Sequence, residues 1–380
     1  MADKITTDNS LVGLAGEGAG NYRAAVFPGK YLQGPGILAL TGTAAAELGG
    51  KSLLVGGKKA LAESYAQIKN ALDEKSIIHE TFPFGGESTE REIEAVAGQA
   101  RRSGAEMIIG IGGGKAIDTA KAAACQAGVK VMIVPTVAST DAPTSTISVI
   151  HDEAGQFIKY YRAGRNPDVV IVDTRVLARA PSRFLCAGTG GALAVSYEAE
   201  ASAKAGALNM AGGLPFGAVT GWAVLSRELI FKYAGMAKLS ADRDLVTPAL
   251  ESVVEANLLL SGIGFESGGL AAAHGVYHGF RSAVPGLKCL HGEVVAFGTL
   301  VQLVLENRDE AEIRPVIDLY EGLNLPSSLD QLGLADPGPE LLQEVARYAC
   351  EAGTTKNMPF AVDSSMMLEA ILFADAFNRV

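Results

Sequence analysis

The chain has 380 residues, 48% of them hydrophobic, and a formal charge of −10. That length accommodates about two domains with substantial cores, and the acidic balance excludes the basic face on which nucleic-acid binding depends. No apolar signal-peptide core opens the sequence and later apolar runs are short or broken by glycine and polar residues, so a cytoplasmic protein without a membrane span is expected.

Short β-branched runs at Lys51–Gly56, Ala105–Ile111, Lys130–Val134 and Val169–Val172 alternate with helical stretches at Lys59–Leu72, Thr89–Ser103 and Lys115–Ala127. The repeated strand–helix order predicts a mostly parallel sheet covered by helices. Thr146–Ile150, followed by the turn residues Asp152–Gly155, reads as an outlying hairpin. Beyond Asp173 the texture turns helical, at Gly190–Ala205, Thr220–Tyr233, Thr247–Ser261, Glu293–Glu306 and Ser364–Val380, and Pro167 and Pro181 bracket the last strand. The expected architecture is α/β: a Rossmann-like parallel-sheet domain over residues 1–178, then an all-helical domain over 179–380, with a cleft between them.

The 45 glycines follow no collagen period and serve turns and close backbone approach. Cys125, Cys186, Cys289 and Cys350 form no C-x-x-C pair and read as free thiols. Ile108–Lys121 runs from an apolar strand through Gly112, Gly113 and Gly114 into a helix, with Lys115, Asp118 and Thr119 in its first turns. Such a turn lets the backbone approach a pyrophosphate and offers it unpaired N–H groups, although a plain strand-to-helix turn has the same composition. Neither the G-x-G-x-x-G nor the Walker spacing is present. Pro135–Ser145 follows the next strand, where ligands of open α/β sheets bind. It offers Thr136 and Ser139 to a cofactor and Asp141 to substrate hydroxyls, with turn capping as the competing account. His274, His278 and His291 are three of only five histidines, and imidazoles clustered in this way suit a metal, proton handling or a buried structural role.

Taken together, Gly112–Lys121, Pro135–Pro143, Val253–Asn257, Phe265–His274 and His291–Leu300 resemble the glycerol dehydrogenase branch of the iron-containing alcohol dehydrogenase family, which is related in fold to dehydroquinate synthases. The likeness extends from Pro28 to Pro359. It implies a two-domain, homo-oligomeric dehydrogenase that oxidises small vicinal diols or reduces hydroxyketones, usually with NAD and zinc. By the same likeness Gly112, Gly113, Gly114 and Asp118 correspond to the pyrophosphate loop. Thr136, Ser139 and Ser145 correspond to nicotinamide contacts, Asp141 to the residue meeting the substrate hydroxyls, and His274 and His291 to two metal ligands.

Three stretches depart from the family pattern, around Gly191, in Val55–Lys59 and in Lys159–Arg165. The third ligand of related enzymes is an aspartate in Gly-Asp-Ala-Leu-Ala, where this chain has Gly190-Gly191-Ala192-Leu193-Ala194. Zinc or another divalent metal is thereby left one ligand short. Glu198, about 10 Å further along a helix, corresponds to a residue that metal-bearing relatives also carry. NAD-preferring relatives place an aspartate where Gly57 stands in Val55–Lys59, so Gly57 with Lys58 and Lys59 leaves NAD and NADP both open. Arg162 and Arg165 either recognise a carboxylate or phosphate or serve as rim charges. The expected function is hydride transfer between NAD or NADP and a small polyol or hydroxyketone. The alternatives are a metal-independent member acting on an oxo-acid or other carboxylated or phosphorylated substrate, a nicotinamide-assisted lyase, and a non-catalytic descendant.

Overall fold

The computed structural model describes residues 22–377. The start of the expected first domain, the stretch read for a leader, and the last three residues of the Ser364–Val380 helix lie outside the described residues. Its first part comprises β1 (Tyr31–Gly34), α1 (Leu40–Leu48), β2 (Lys51–Gly56), α2 (Lys58–Glu74), β3 (Ile78–Pro83), α3 (Glu90–Ser103), β4 (Met107–Gly112), α4 (Gly114–Ala127) and β5 (Lys130–Pro135). A hairpin of β6 (Ile147–His151) and β7 (Phe157–Arg162) precedes β8 (Val169–Asp173) and α5 (Thr174–Ala178). The six main strands form one parallel sheet in the order β1-β8-β5-β4-β2-β3, and β6 and β7 pair separately and antiparallel.

The alternation of side chains along each strand divides the apolar runs between two cores. Leu53, Val55, Ile108, Ile133, Val170 and Val172 point to one face, where residues of α3 and α4 cover them. Leu54, Ile109, Ile111, Met132, Val134 and Ile171 point to the other, under α1 and α2. Burial on both faces is what makes the central strands continuous hydrophobic runs. The edge strand β3, Ile-His-Glu-Thr-Phe-Pro, is largely exposed, and with β1 it lacks that signature.

The second part is helical: α6 (Ser182–Ala205), α7 (Gly217–Ala241), α8 (Pro248–Glu255), α9 (Ser261–Ile263), α10 (Ala272–Ala283), α11 (His291–Leu305), α12 (Glu310–Leu323), α13 (Pro339–Glu351) and α14 (Ser364–Phe377). Two π-helical segments, Ala256–Leu260 and Gly264–Gly268, flank α9, so residues 248–268 form one helical run with two widened turns. Among the described residues no helix is long and apolar enough to cross a membrane.

The run from α8 to Gly268 docks the two parts together. Glu251 receives the Gln33 amide at 2.8 Å and the Thr174 hydroxyl. Asn257 donates to the carbonyls of Ala138 and Leu185 at 3.3 and 2.9 Å, and the Leu258 carbonyl accepts the Thr144 hydroxyl at 2.8 Å. Glu266, 2% exposed, accepts the Thr146 N–H at 2.9 Å together with the Thr146 hydroxyl and the Asn166 amide. A buried carboxylate is tolerable only with such donors, and removing it strands them in turn.

Glu266→Ala should therefore lower unfolding stability by about 3 kcal/mol, with Glu266→Gln recovering part of the loss. Urea-unfolding midpoints test this, and a midpoint unchanged in Glu266→Ala would show that these bonds do not secure the two parts.

Candidate active site

At the carboxyl end of β4, Gly112 has φ 153°, a left-handed backbone that disfavours any side chain. Gly113 is the N-cap of α4 and supplies no side-chain cap, so the first-turn N–H groups of that helix are available to a ligand. A Cβ on Gly113 would come 3.2 Å from Val137 Cγ2, so the bare backbone keeps this cradle open. Gly57, the uncapped N-cap of α2, lies at the neighbouring strand end with only Phe84, at 3.9 Å, beside its Cβ direction. Lys58 and Lys59 are exposed there, and Thr136 and Ser139 are half-buried on the loop after β5.

The other expected cofactor residues engage further parts of the chain. Lys115 is ion-paired with Glu87, which also lies 3.0 Å from His151 Nδ1. Asp118 is buried, 3.1 Å from Lys121 Nζ, and accepts the Val149 N–H at 2.9 Å. Thr119 is buried and donates to the Lys115 carbonyl at 2.9 Å, while buried Ser145 offers its carbonyl to Lys121 at 3.2 Å. Asp118 and Lys121 thus clamp the β6–β7 hairpin onto α4. The arginines also act structurally: Arg162 donates to the Met210 carbonyl at 2.8 Å, and Arg165 to the Val129 carbonyl.

On the loop after β5, where the Thr140 hydroxyl lies 3.5 Å from where a Cβ on Gly114 would stand, Asp141 is half-buried with Ser261 Oγ 3.4 Å from its Oδ2. Burial raises its carboxyl above the ordinary carboxylate range, against the lowering influence of His274. His274 lies in the first turn of α10, a helix start buried inside the molecule. Its orphan N–H groups are satisfied from neighbouring helices: Glu198 Oε1 accepts those of Ala271 and His274 at 2.9 and 2.8 Å, and Gln302 accepts that of Ala273 at 3.0 Å. Glu198 Oε2 takes His274 Nδ1 at 2.6 Å, which leaves Nε2 as the ring nitrogen free for other chemistry. Burial lowers the tendency of His274 to protonate, but the charges of Glu198 and Asp141 outweigh it and raise its pKa.

His291 opens α11. Glu293 caps that helix by accepting the Leu290 N–H at 2.7 Å and is itself gripped by Arg183 at 2.6 and 2.8 Å. The His291 ring lies 5.2 Å from the His274 ring and 4.4 Å, edge-on, from that of Tyr277. Burial, reinforced by His274 and His278, holds His291 well below the usual imidazole value. His278 contacts the Tyr160 hydroxyl of β7 at 3.1 Å, and burial pushes its pKa down to about 4.

The structure thus brings Asp141, His274 and His291 together. Ser261, Tyr160, Tyr277 and the bond from Glu198 to His274 escaped sequence reasoning. Only Glu198 left a trace, as one of two carboxylates among the small residues of α6.

The family model for iron-containing alcohol dehydrogenases matches residues 28–174. A glycerol dehydrogenase of Escherichia coli O6:H1 is 43% identical over 353 residues, covering 93% of this chain and 96% of its own length. A glycolaldehyde reductase of Halobacterium salinarum is 42% identical, covering 93% and 97%. The crystal structure of glycerol dehydrogenase from Schizosaccharomyces pombe superposes with a TM-score of 0.90 at 35% identity, over 94% of this chain and 91% of that one. The chain belongs to the iron-containing alcohol dehydrogenase family, in its glycerol dehydrogenase branch.

The family name implies a metal, but the donor set of this member does not fit one. His274 and His291 supply two nitrogens, Glu198 is committed to three N–H groups, and no cluster of three His, Cys, Asp or Glu suited to a metal occurs among the described residues. Nor does packing account for Gly191. A Cβ on Gly190 would lie 2.6 Å from the Gly292 carbonyl oxygen, so glycine is obligatory there, whereas one on Gly191 meets nothing within 4 Å.

Gly190→Ala should therefore cost about 1–3 kcal/mol through overpacking, while Gly191→Ala gains up to about 1 kcal/mol of helix propensity. Thermal unfolding of the two variants checks this, and equal effects would contradict the assigned packing. His278 gives a pH signature. An unfolded chain protonates it near 6.5 but the folded one only near 4, so stability falls as pH drops between those values and levels off below. Between pH 7 and 5, wild type should lose about 2 kcal/mol more than His278→Gln. Identical pH dependence in denaturant unfolding would mean that His278 protonates normally in the fold.

Proposed function

We propose that this protein is a nicotinamide-dependent dehydrogenase of small polyols and the corresponding hydroxyketones, with glycerol and dihydroxyacetone as the reference pair. The observation that carries the reading is the grouping of Asp141 with His274 and His291, on a loop whose Thr140 hydroxyl lies 3.5 Å from where a Cβ on Gly114 of the uncapped glycine cradle would stand. The full-length likeness to glycerol dehydrogenases supports it.

The residues present suit a dinucleotide. Free N–H groups at the start of α4 suit a pyrophosphate, Thr136 and Ser139 lie on the adjoining loop, and Gly57 with exposed Lys58 and Lys59 adjoins the adenosine side. Without a carboxylate at Gly57 to repel a 2′-phosphate, NADP is accepted alongside NAD. When bound, the nicotinamide supplies the acceptor or donor for hydride.

Within the protein, Asp141 accepts hydrogen bonds from substrate hydroxyls, and Ser261 fixes its carboxylate. His274, with Nδ1 anchored by Glu198, directs Nε2 at the reacting oxygen and takes part in moving its proton. Arg162 and Arg165 are engaged with backbone carbonyls, which removes the main support for a carboxylated or phosphorylated substrate.

Turnover of glycerol and dihydroxyacetone, followed by nicotinamide absorbance with NAD and with NADP, tests this reading. Activity with at least one cofactor is expected, and Asp141→Asn should reduce kcat/KM by about 100-fold while leaving the fold intact. Absence of turnover with either cofactor on glycerol, dihydroxyacetone and short diols would refute the assignment.

A further inference from the structure

We infer that this centre holds no resident metal through its own side chains, and that the residue at position 191 is the reason. From Leu185 to Ala199 every residue of α6 is buried except Gly191, so the one accessible notch on that stretch lies at this glycine. Its register toward the histidines is fixed on both sides. The adjacent Gly190 abuts the carbonyl of Gly292, the residue after His291. Glu198, two helical turns beyond on the same face, holds His274.

Glycine is forced elsewhere in this contact but not here. A Cβ at Gly188, Gly190 or Gly292 would approach a backbone oxygen to 2.0, 2.6 or 1.7 Å, whereas at Gly191 it enters open space. A side chain can therefore start at 191 without displacing anything. Its absence leaves two imidazole nitrogens and no anionic donor, short of the three protein ligands that a catalytic zinc ordinarily takes. Nor do the nearby carboxylates fill the gap. Glu198 is saturated by the N–H groups of Ala271 and His274 and by the His274 ring, and Asp141 completes no three-donor group.

The inference takes His274 and His291 as the donor pair of the proposed active site, but its test reads metal content and does not depend on turnover. Purified full-length protein is equilibrated with zinc, dialysed into metal-free buffer, and assayed for bound zinc by mass spectrometry and for affinity by calorimetry. Wild type should retain well under one zinc per chain. Gly191→Asp should retain close to one and bind at least about 100-fold more tightly, and adding His274→Ala to it should abolish the gain. Gly191→Asn, of equal bulk but uncharged, controls for steric effects, and circular dichroism reports folding. Stoichiometric zinc in dialysed wild type, lost on His274→Ala, would overturn the inference, as would a folded Gly191→Asp that gains none. Inactive wild type with this same metal pattern would refute the functional reading alone.

Discussion

The candidate site depends on one buried carboxylate. Glu198 lies in the middle of α6 with no exposure and reaches the start of α10, accepting two backbone N–H groups and one imidazole N–H. A helix that begins inside a protein carries unpaired donors and a positive dipole end, both of which favour an anion there. The same contact that makes this helix start tolerable fixes the tautomer and direction of His274. An isolated carboxylate at that depth would be strongly destabilising, so Glu198, the α10 terminus and His274 belong together. Loss of any one exposes the others to an uncompensated burial.

Around that anchor, the helical run 248–268 ties the histidine-bearing helices to the sheet-bearing part. Glu251, Asn257, Leu258, Ser261 and Glu266 all bond to residues of the first part. Two of the turns that present them are π-helical, a form found frequently at functional sites. Asp141 gains its Ser261 contact from this run, and the chain passes from its end through Gly269 to His274. Asp141 and the histidines thereby share one support, which suits a reaction sensitive to errors of about 1 Å.

The central sheet was legible because β2, β4, β5 and β8 are buried on both faces and are therefore continuously apolar. β1 and β3 were not legible: as edge strands they are short or mixed in polarity. The start of α10 was hidden as well, because its caps come from Glu198 and Gln302 on other helices and leave no local signal. At the site, Asp141 and the histidine pair were readable from motif, and the structure brings them together. Asp118, Thr119 and Ser145 carry the same motif logic, yet their side chains are buried, and Asp118 helps Lys121 clamp the hairpin. Sequence proximity to a glycine loop does not determine which face of the helix a residue occupies.

The central claim is that a substrate carbon and a nicotinamide meet in this cleft for direct hydride transfer. The most direct test is to turn over glycerol deuterated on carbon and to weigh the reduced cofactor. Direct transfer predicts one deuterium per reduced nicotinamide and none from deuterated water with unlabelled glycerol. Reduced cofactor labelled from the solvent, or not labelled by the substrate, would contradict it.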